Sequence, residues 1–271
     1  MTQWMENYAD ASGVRLHYWR TGGDKPVVVL AHGITDSGLC WSRVAHALED
    51  DYDLVMYDTR LHGLSDKPDE PYGWDVLADD AAAFIQALDL DKPAMLGHSL
   101  GAHTTATVAS KYPGLLGRAL LSDPVFRDPI DEEKQSDDHN QDGTESVRAY
   151  KAMGKEGLLE MVRERSPMWH EDELEPWAES KMQVSENVWS LMSLAAEPWR
   201  NMVARITCPT LLLTADSDKG AIVTPEVAQE AVSLMADGHW ARIEGAGHNI
   251  RREQFEPYMA AVKTFLAEPR G

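Results

Sequence analysis

The sequence predicts an open, mostly parallel α/β sheet with helices covering both faces. Three observations carry this expectation. Short, wholly apolar runs recur along the chain, stripes of helical period separate them, and one run passes directly into a glycine-flanked serine followed by a helical pattern. The first run, Val27-Val28-Val29-Leu30-Ala31, is continuous rather than alternating, as a strand buried on both faces must be. Leu54-Val55-Met56-Tyr57, Ala94-Met95-Leu96 and Ala119-Leu120-Leu121 repeat the style, and Thr210-Leu211-Leu212-Leu213-Thr214 and Ala241-Arg242-Ile243 follow later. Leu77, Ala81, Phe84, Ile85 and Leu88 mark one intervening helical stripe, and Phe255, Met259, Val262, Phe265 and Leu266 another. Ahead of all these, Val14-Arg15-Leu16-His17-Tyr18-Trp19 alternates with period two and predicts an antiparallel edge strand or hairpin. In such sheets chemistry belongs beyond the carboxyl ends of the strands.

The alternation breaks between 126 and 200. This segment opens with a polar, acidic run and continues into helix-forming stretches around 158–162 and 189–194. The division expected is a core of 1–125 and 201–271 carrying an inserted helical cap, 126–200. Trp169, Trp177, Trp189 and Met168 lie in it and are the candidate substrate contacts.

Bulk composition excludes several function classes. The 271 residues carry a formal net charge of −20, which repels nucleic acid and anionic membrane surfaces. No metal-ligand spacing and no glycine-rich phosphate loop occurs, so no metal and no cofactor is expected. The two cysteines, Cys40 and Cys208, suit a reducing compartment. The first residues lack a basic and apolar leader, and no apolar run is long enough to span a bilayer. The expectation is a soluble cytoplasmic protein, a monomer or homodimer, acting on a small molecule.

The strongest local signal is Leu96-Gly97-His98-Ser99-Leu100-Gly101, in which a buried run meets G-x-S-x-G and then a helix pattern. The sharp turn exposes the Ser99 hydroxyl at a helix N-terminus, whose dipole favours developing negative charge. A serine needs a base to take its proton. His248, in Gly245-Ala246-Gly247-His248 after the last core strand, is the candidate. His98 should turn away from the hydroxyl, and His32 and His62 should hold loops. Arg127 could meet a substrate carboxylate but is expected in a surface ion pair, and Arg251 and Arg252 are expected at a helix start or in a surface pair.

These segments resemble the α/β-hydrolase superfamily along essentially the whole chain. Val29-Leu30-Ala31-His32-Gly33-Ile34 is similar to its strand and His-Gly segment, and Asp58-Thr59-Arg60-Leu61-His62-Gly63-Leu64-Ser65 to its D-x-R-G-H-G-x-S loop, with Leu61 replacing the usual glycine. The resemblance implies a mostly parallel eight-stranded sheet, and an oxyanion hole formed by the backbone N–H groups of Ile34 and Leu100. It also implies a carboxylate that orients the histidine. Asp123, directly after a buried run and fixed by Pro124, is the choice here. Asp218, in the loop after the penultimate core strand where most members keep their acid, is the alternative.

The function expected is therefore a cofactor-free serine hydrolase cleaving a small to medium ester or lactone through an acyl-enzyme. Carbon–carbon bond hydrolysis of a diketone or perhydrolase chemistry could use the same parts. A non-catalytic ligand receptor on this fold is the rival from a different class.

Overall fold

The computed structural model describes residues 4–127, 129–193 and 197–269; the side chains of 129–141 fall outside the described set. Eight strands form one sheet: β1 (Met5–Ala11), β2 (Val14–Arg20), β3 (Val27–Ala31), β4 (Asp53–Tyr57), β5 (Ala94–His98), β6 (Arg118–Ser122), β7 (Thr210–Thr214) and β8 (Gly238–Arg242). Their spatial order is β1-β2-β4-β3-β5-β6-β7-β8. β1 and β2 form an antiparallel hairpin, β2 joins β4 antiparallel, and every pairing from β4 through β8 is parallel. Ser12 and Gly13 turn the hairpin with φ of 49° and 86°, the backbone sign that matches the twist of the flanking strands.

The continuous apolar runs are the central strands, and period two divides their side chains between two layers. Val29, Ala31, Val55, Tyr57, Met95, Leu121 and Leu212 face α2 (Trp74–Ala87), α3 (Leu100–Lys111) and α7 (Pro225–Leu234). Val28, Leu30, Leu54, Met56, Leu96, Leu120 and Leu213 face α1 (Ser42–Leu48) and α9 (Phe255–Ala267). Each such fully buried aliphatic side chain stabilises the fold by roughly 1.5–3 kcal/mol, enough in sum to hold strained backbone at the strand ends. The last strand lies at 238–242 rather than 241–243. It is an edge, half-exposed along its length, and so lacks the apolar run that marks the others.

Between β6 and β7 the chain forms α4 (Pro129–Arg165), interrupted at Gly154 with φ 72°, then α5 (Glu171–Gln183) and α6 (Trp199–Val203). Helix α5 escapes a search for apolar stripes because its first turn is acidic and Pro176 lies within it. Its buried face is Leu174, Trp177, Ala178 and Lys181. The helix expected at 189–194 is not formed over the described part of that stretch. Residues 186–191 are a turn, and Met192 bridges to Tyr72. Phe126 and Trp199, at the two ends of the segment, stack at 5.4 Å and belong to the core cluster. A short α8 (Ile250–Glu253) precedes α9.

Candidate active site

β3 has β4 on one side and β5 on the other, so the order of strand addition reverses between β3 and β5 and a crevice opens past their carboxyl ends. Ser99 stands there, at the junction of β5 and α3, with φ 52° and ψ −114°. Such a conformation costs a non-glycine residue about 1–3 kcal/mol, and its surroundings enforce it. A Cβ on Gly97 would lie 2.1 Å from the Gly101 carbonyl oxygen, and one on Gly101 2.1 Å from that of Ala31. Only glycine permits this approach of helix to sheet. The Ser99 N–H donates to the Ser122 carbonyl at 3.0 Å, tying the turn to β6.

Asp123 follows β6 with φ 47° and is wholly buried. The His248 Nδ1–H donates to its Oδ2 across 2.6 Å. The N–H groups of Ile222 and Val223 donate to the same carboxylate at 2.8 and 2.9 Å. With the Nδ1 proton committed to Asp123, neutral His248 has Nε2 available as an acceptor, and the ring lines the same cavity as Ser99. The alternative acid, Asp218, sits exposed in the 3-10 turn Ser217–Lys219 and is not brought to His248. Its loop is long because it wraps inward, so that residues 222 and 223 support Asp123 instead of supplying a carboxylate. Asp216 holds that loop by accepting from Arg242 and the Gly245 N–H.

His98 turns away from the hydroxyl side and donates from Nε2 to the His248 carbonyl at 2.9 Å. Burial, reinforced by His248, holds its pKa well below the usual imidazole range, so it stays neutral. His32 and His62 hold loops. His32 accepts the Thr59 N–H at Nε2, 3.0 Å, and donates from Nδ1 to the Gly33 carbonyl. His62 accepts the Thr35 N–H at 3.1 Å, and burial pushes its pKa down to about 3. Leu61 adopts φ 66°, and its side chain is buried in one cluster with Tyr72, Trp74 and Leu100.

Gly33 lies against the elbow, where a Cβ would be 3.5 Å from that of Ser99. Ile34 follows it and lines the cavity. Leu100 is the first residue of α3, so its N–H has no acceptor within the helix. Lys181 reaches this loop from α5. Its ammonium donates to the Thr35 carbonyl at 2.9 Å, to the Thr35 hydroxyl at 3.1 Å and to Asp36 at 2.8 Å. Arg252 donates to the other Asp36 oxygen at 3.0 Å and to Glu173 at 3.2 Å. Burial opposes the Asp36 charge, but Arg252, Lys181 and Arg251 outweigh it and hold this carboxyl well below its ordinary range. Arg251 and Arg252 lie in the short helix at 250–253, as the helix-start expectation has it, but they are buried rather than in a surface pair. Each covers an aromatic ring, Trp41 and Trp169 respectively. Arg127 is exposed, and it is not part of the cavity wall.

The cavity holds about 340 Å³, with the Ser99 and His248 side on one wall and α4 and α5 on the other. Trp169 and Trp177 line it. Trp189 and Met168 do not: Trp189 packs on Gly143, and Met168 is 69% exposed. Met161, one of the methionines of the inserted segment, lines it too, as do Tyr150, Arg165 and Lys181, which no sequence motif singles out. The available signal was spacing, since 161 and 165 lie one turn apart at the end of α4, and 177 and 181 one turn apart in α5. Among the described residues no group of three or more His, Cys, Asp or Glu is arranged to hold a metal ion, and no helix is long and apolar enough to cross a membrane.

Known proteins share this build. The chain is 30% identical over 262 residues to N-formylmaleamate deformylase of Pseudomonas putida, spanning 96% of this chain and 95% of that protein. It is 26% identical to 2-(acetamidomethylene)succinate hydrolase of Mesorhizobium japonicum, spanning 91% and 90%. The crystal structure of an N-formylmaleamic acid deformylase from Pseudomonas putida superposes with a TM-score of 0.80 at 25% identity, covering 95% of this chain and all of that one. Residues 28–261 match the profile described as the alpha/beta hydrolase family, and the chain belongs to that family.

Proposed function

We propose that the protein is a serine hydrolase that opens a small ester or lactone through an acyl-enzyme. One observation carries the reading: a strained serine at a helix N-terminus shares a cavity with a histidine whose far nitrogen is fixed by a buried carboxylate. In the first step the Ser99 oxygen attacks the carbonyl carbon while His248 Nε2 takes its proton. The electron pair displaced from the C=O bond settles on oxygen, facing the N–H groups of Ile34 and Leu100. Each such donor is worth roughly 10²–10³ in rate. The pair then returns, the bond to the leaving group breaks, and His248 delivers its proton there. Water repeats the sequence and frees Ser99. Asp123 keeps its charge throughout and stabilises the imidazolium.

A second reading has a specific observation behind it. The 30% identical relative is a deformylase, so cleavage of a carbon–nitrogen acyl bond by the same residues is the competing specificity. The two differ only in the leaving group that His248 must protonate. Ser99→Ala should lower turnover of 4-nitrophenyl acetate by roughly 10⁴-fold or more with an unchanged circular dichroism spectrum. Retained turnover would remove both readings. Comparing a matched ester and formanilide on the native enzyme separates them.

A further inference from the structure

We propose that the substrate carries a carboxylate, and that Arg165 on the α4 wall of the cavity binds it; this rests on the reading of the cavity as the active site. The charge of the cavity runs against that of the molecule. In a chain of net charge −20, the fixed charges on its wall are three cations, Arg165, Lys181 and Arg252, and one carboxylate, Asp36. Asp36 is already taken up by Lys181 and Arg252, with Arg251 at 3.5 Å behind it, and Glu173 balances Arg252 from outside the wall. The buried cluster is satisfied and slightly positive. Arg165 remains.

Arg165 ends α4 and is exposed, with no ion pair or hydrogen bond to another described residue. Its neighbour Arg163 is engaged by Glu171. The difference follows from direction: Arg163 points toward α5's acidic first turn, whereas Arg165 shares the cavity side with Met161 and Trp169. A guanidinium fork beside an aromatic wall binds a planar carboxylate through two parallel hydrogen bonds. The hydroxyl-bearing Tyr150 and Ser166 line the same region. A cavity of about 340 Å³ accepts a short acyl chain with its reacting carbonyl at Ser99 and its carboxylate at Arg165.

The test compares mono(4-nitrophenyl) succinate with its methyl ester, which has nearly the same shape and no charge. The native protein should prefer the acid in kcat/KM. Arg165→Gln should reduce that preference roughly 10- to 100-fold, mainly through KM, and Arg165→Lys should restore part of it. Arg163→Gln should leave it intact. Equal use of acid and methyl ester by the native protein, or an equal loss on both in Arg165→Gln, would overturn the proposal. If folded native protein turns over neither ester, the serine-hydrolase reading fails, and binding decides the carboxylate separately. Tryptophan fluorescence of Ser99→Ala should then saturate with glutarate but not glutaramide, and lose that response when Arg165→Gln is added. No preference for glutarate would overturn the proposal.

Discussion

Replacing Asp123 by Asn changes one atom in a wholly buried group, and its effect can be worked from three contacts. Asp123 now accepts from His248 Nδ1 at 2.6 Å and from two backbone N–H groups at 2.8 and 2.9 Å. An asparagine has one acceptor oxygen. Both backbone donors reach Oδ1, Val223 at 2.9 Å and Ile222 at 3.1 Å, so the amide oxygen takes that place and the NH₂ is turned toward His248. Nδ1 must then become the acceptor, which shifts the ring proton to Nε2, the atom that has to take the proton of Ser99. The expected loss in kcat is roughly 10⁴-fold, as for the equivalent change in a serine protease triad, or about 5.5 kcal/mol of barrier. Stopped assays on 4-nitrophenyl acetate, beside urea unfolding to confirm the fold, measure it. Asp218→Asn, an exposed change, should stay within about twofold of the native rate. A loss of several orders of magnitude in Asp218→Asn, with Asp123→Asn near native, would refute the assignment.

Gly101→Ala should destabilise the protein by roughly 1–3 kcal/mol or more, seen as a lowered urea midpoint, because the added Cβ meets the Ala31 backbone oxygen at 2.1 Å and neither backbone can yield. Asp36→Asn leaves Lys181, Arg252 and Arg251 without their shared charge, and should cost roughly 3–5 kcal/mol in the same measurement. The pH dependence has a definite sign. The folded pKa of Asp36 lies below its ordinary 3.8, so its contribution is complete above that value and drains away as pH falls through the folded value. Stability of Asp36→Asn, compared with native protein from about pH 5 to pH 2, should therefore fall less steeply with acid; parallel curves would count against the linkage.

Much of this was legible because it is local in sequence. Continuous apolar runs mark strands buried on both faces, and the elbow announces itself because only Gly97 and Gly101 tolerate the approach of α3 to β3 and β5. What could not be read depends on contacts between distant segments. Whether Asp123 or Asp218 meets His248 is decided by how residues 216–223 fold inward, and no spacing encodes that. A helix start at Arg251 and Arg252 is local, but their burial is not, because the charge that permits it comes from Asp36, more than two hundred positions away. In α5 an acidic first turn and Pro176 hide a buried face whose lysine braces the Ile34–Thr35 loop. Trp189 and Trp177 have similar local surroundings, and tertiary packing alone sends one to Gly143 and the other to the cavity.

The central claim is that Ser99 carries the acyl group. Incubating the native protein with a fluorophosphonate, then with 4-nitrophenyl acetate quenched in acid at short times, and reading peptide masses, tests it directly. The account predicts the phosphonyl and acetyl adducts on the peptide containing Ser99, both absent in Ser99→Ala and the phosphonyl adduct greatly slowed in Asp123→Asn. Turnover with no adduct on Ser99, or adducts on another residue, would contradict it.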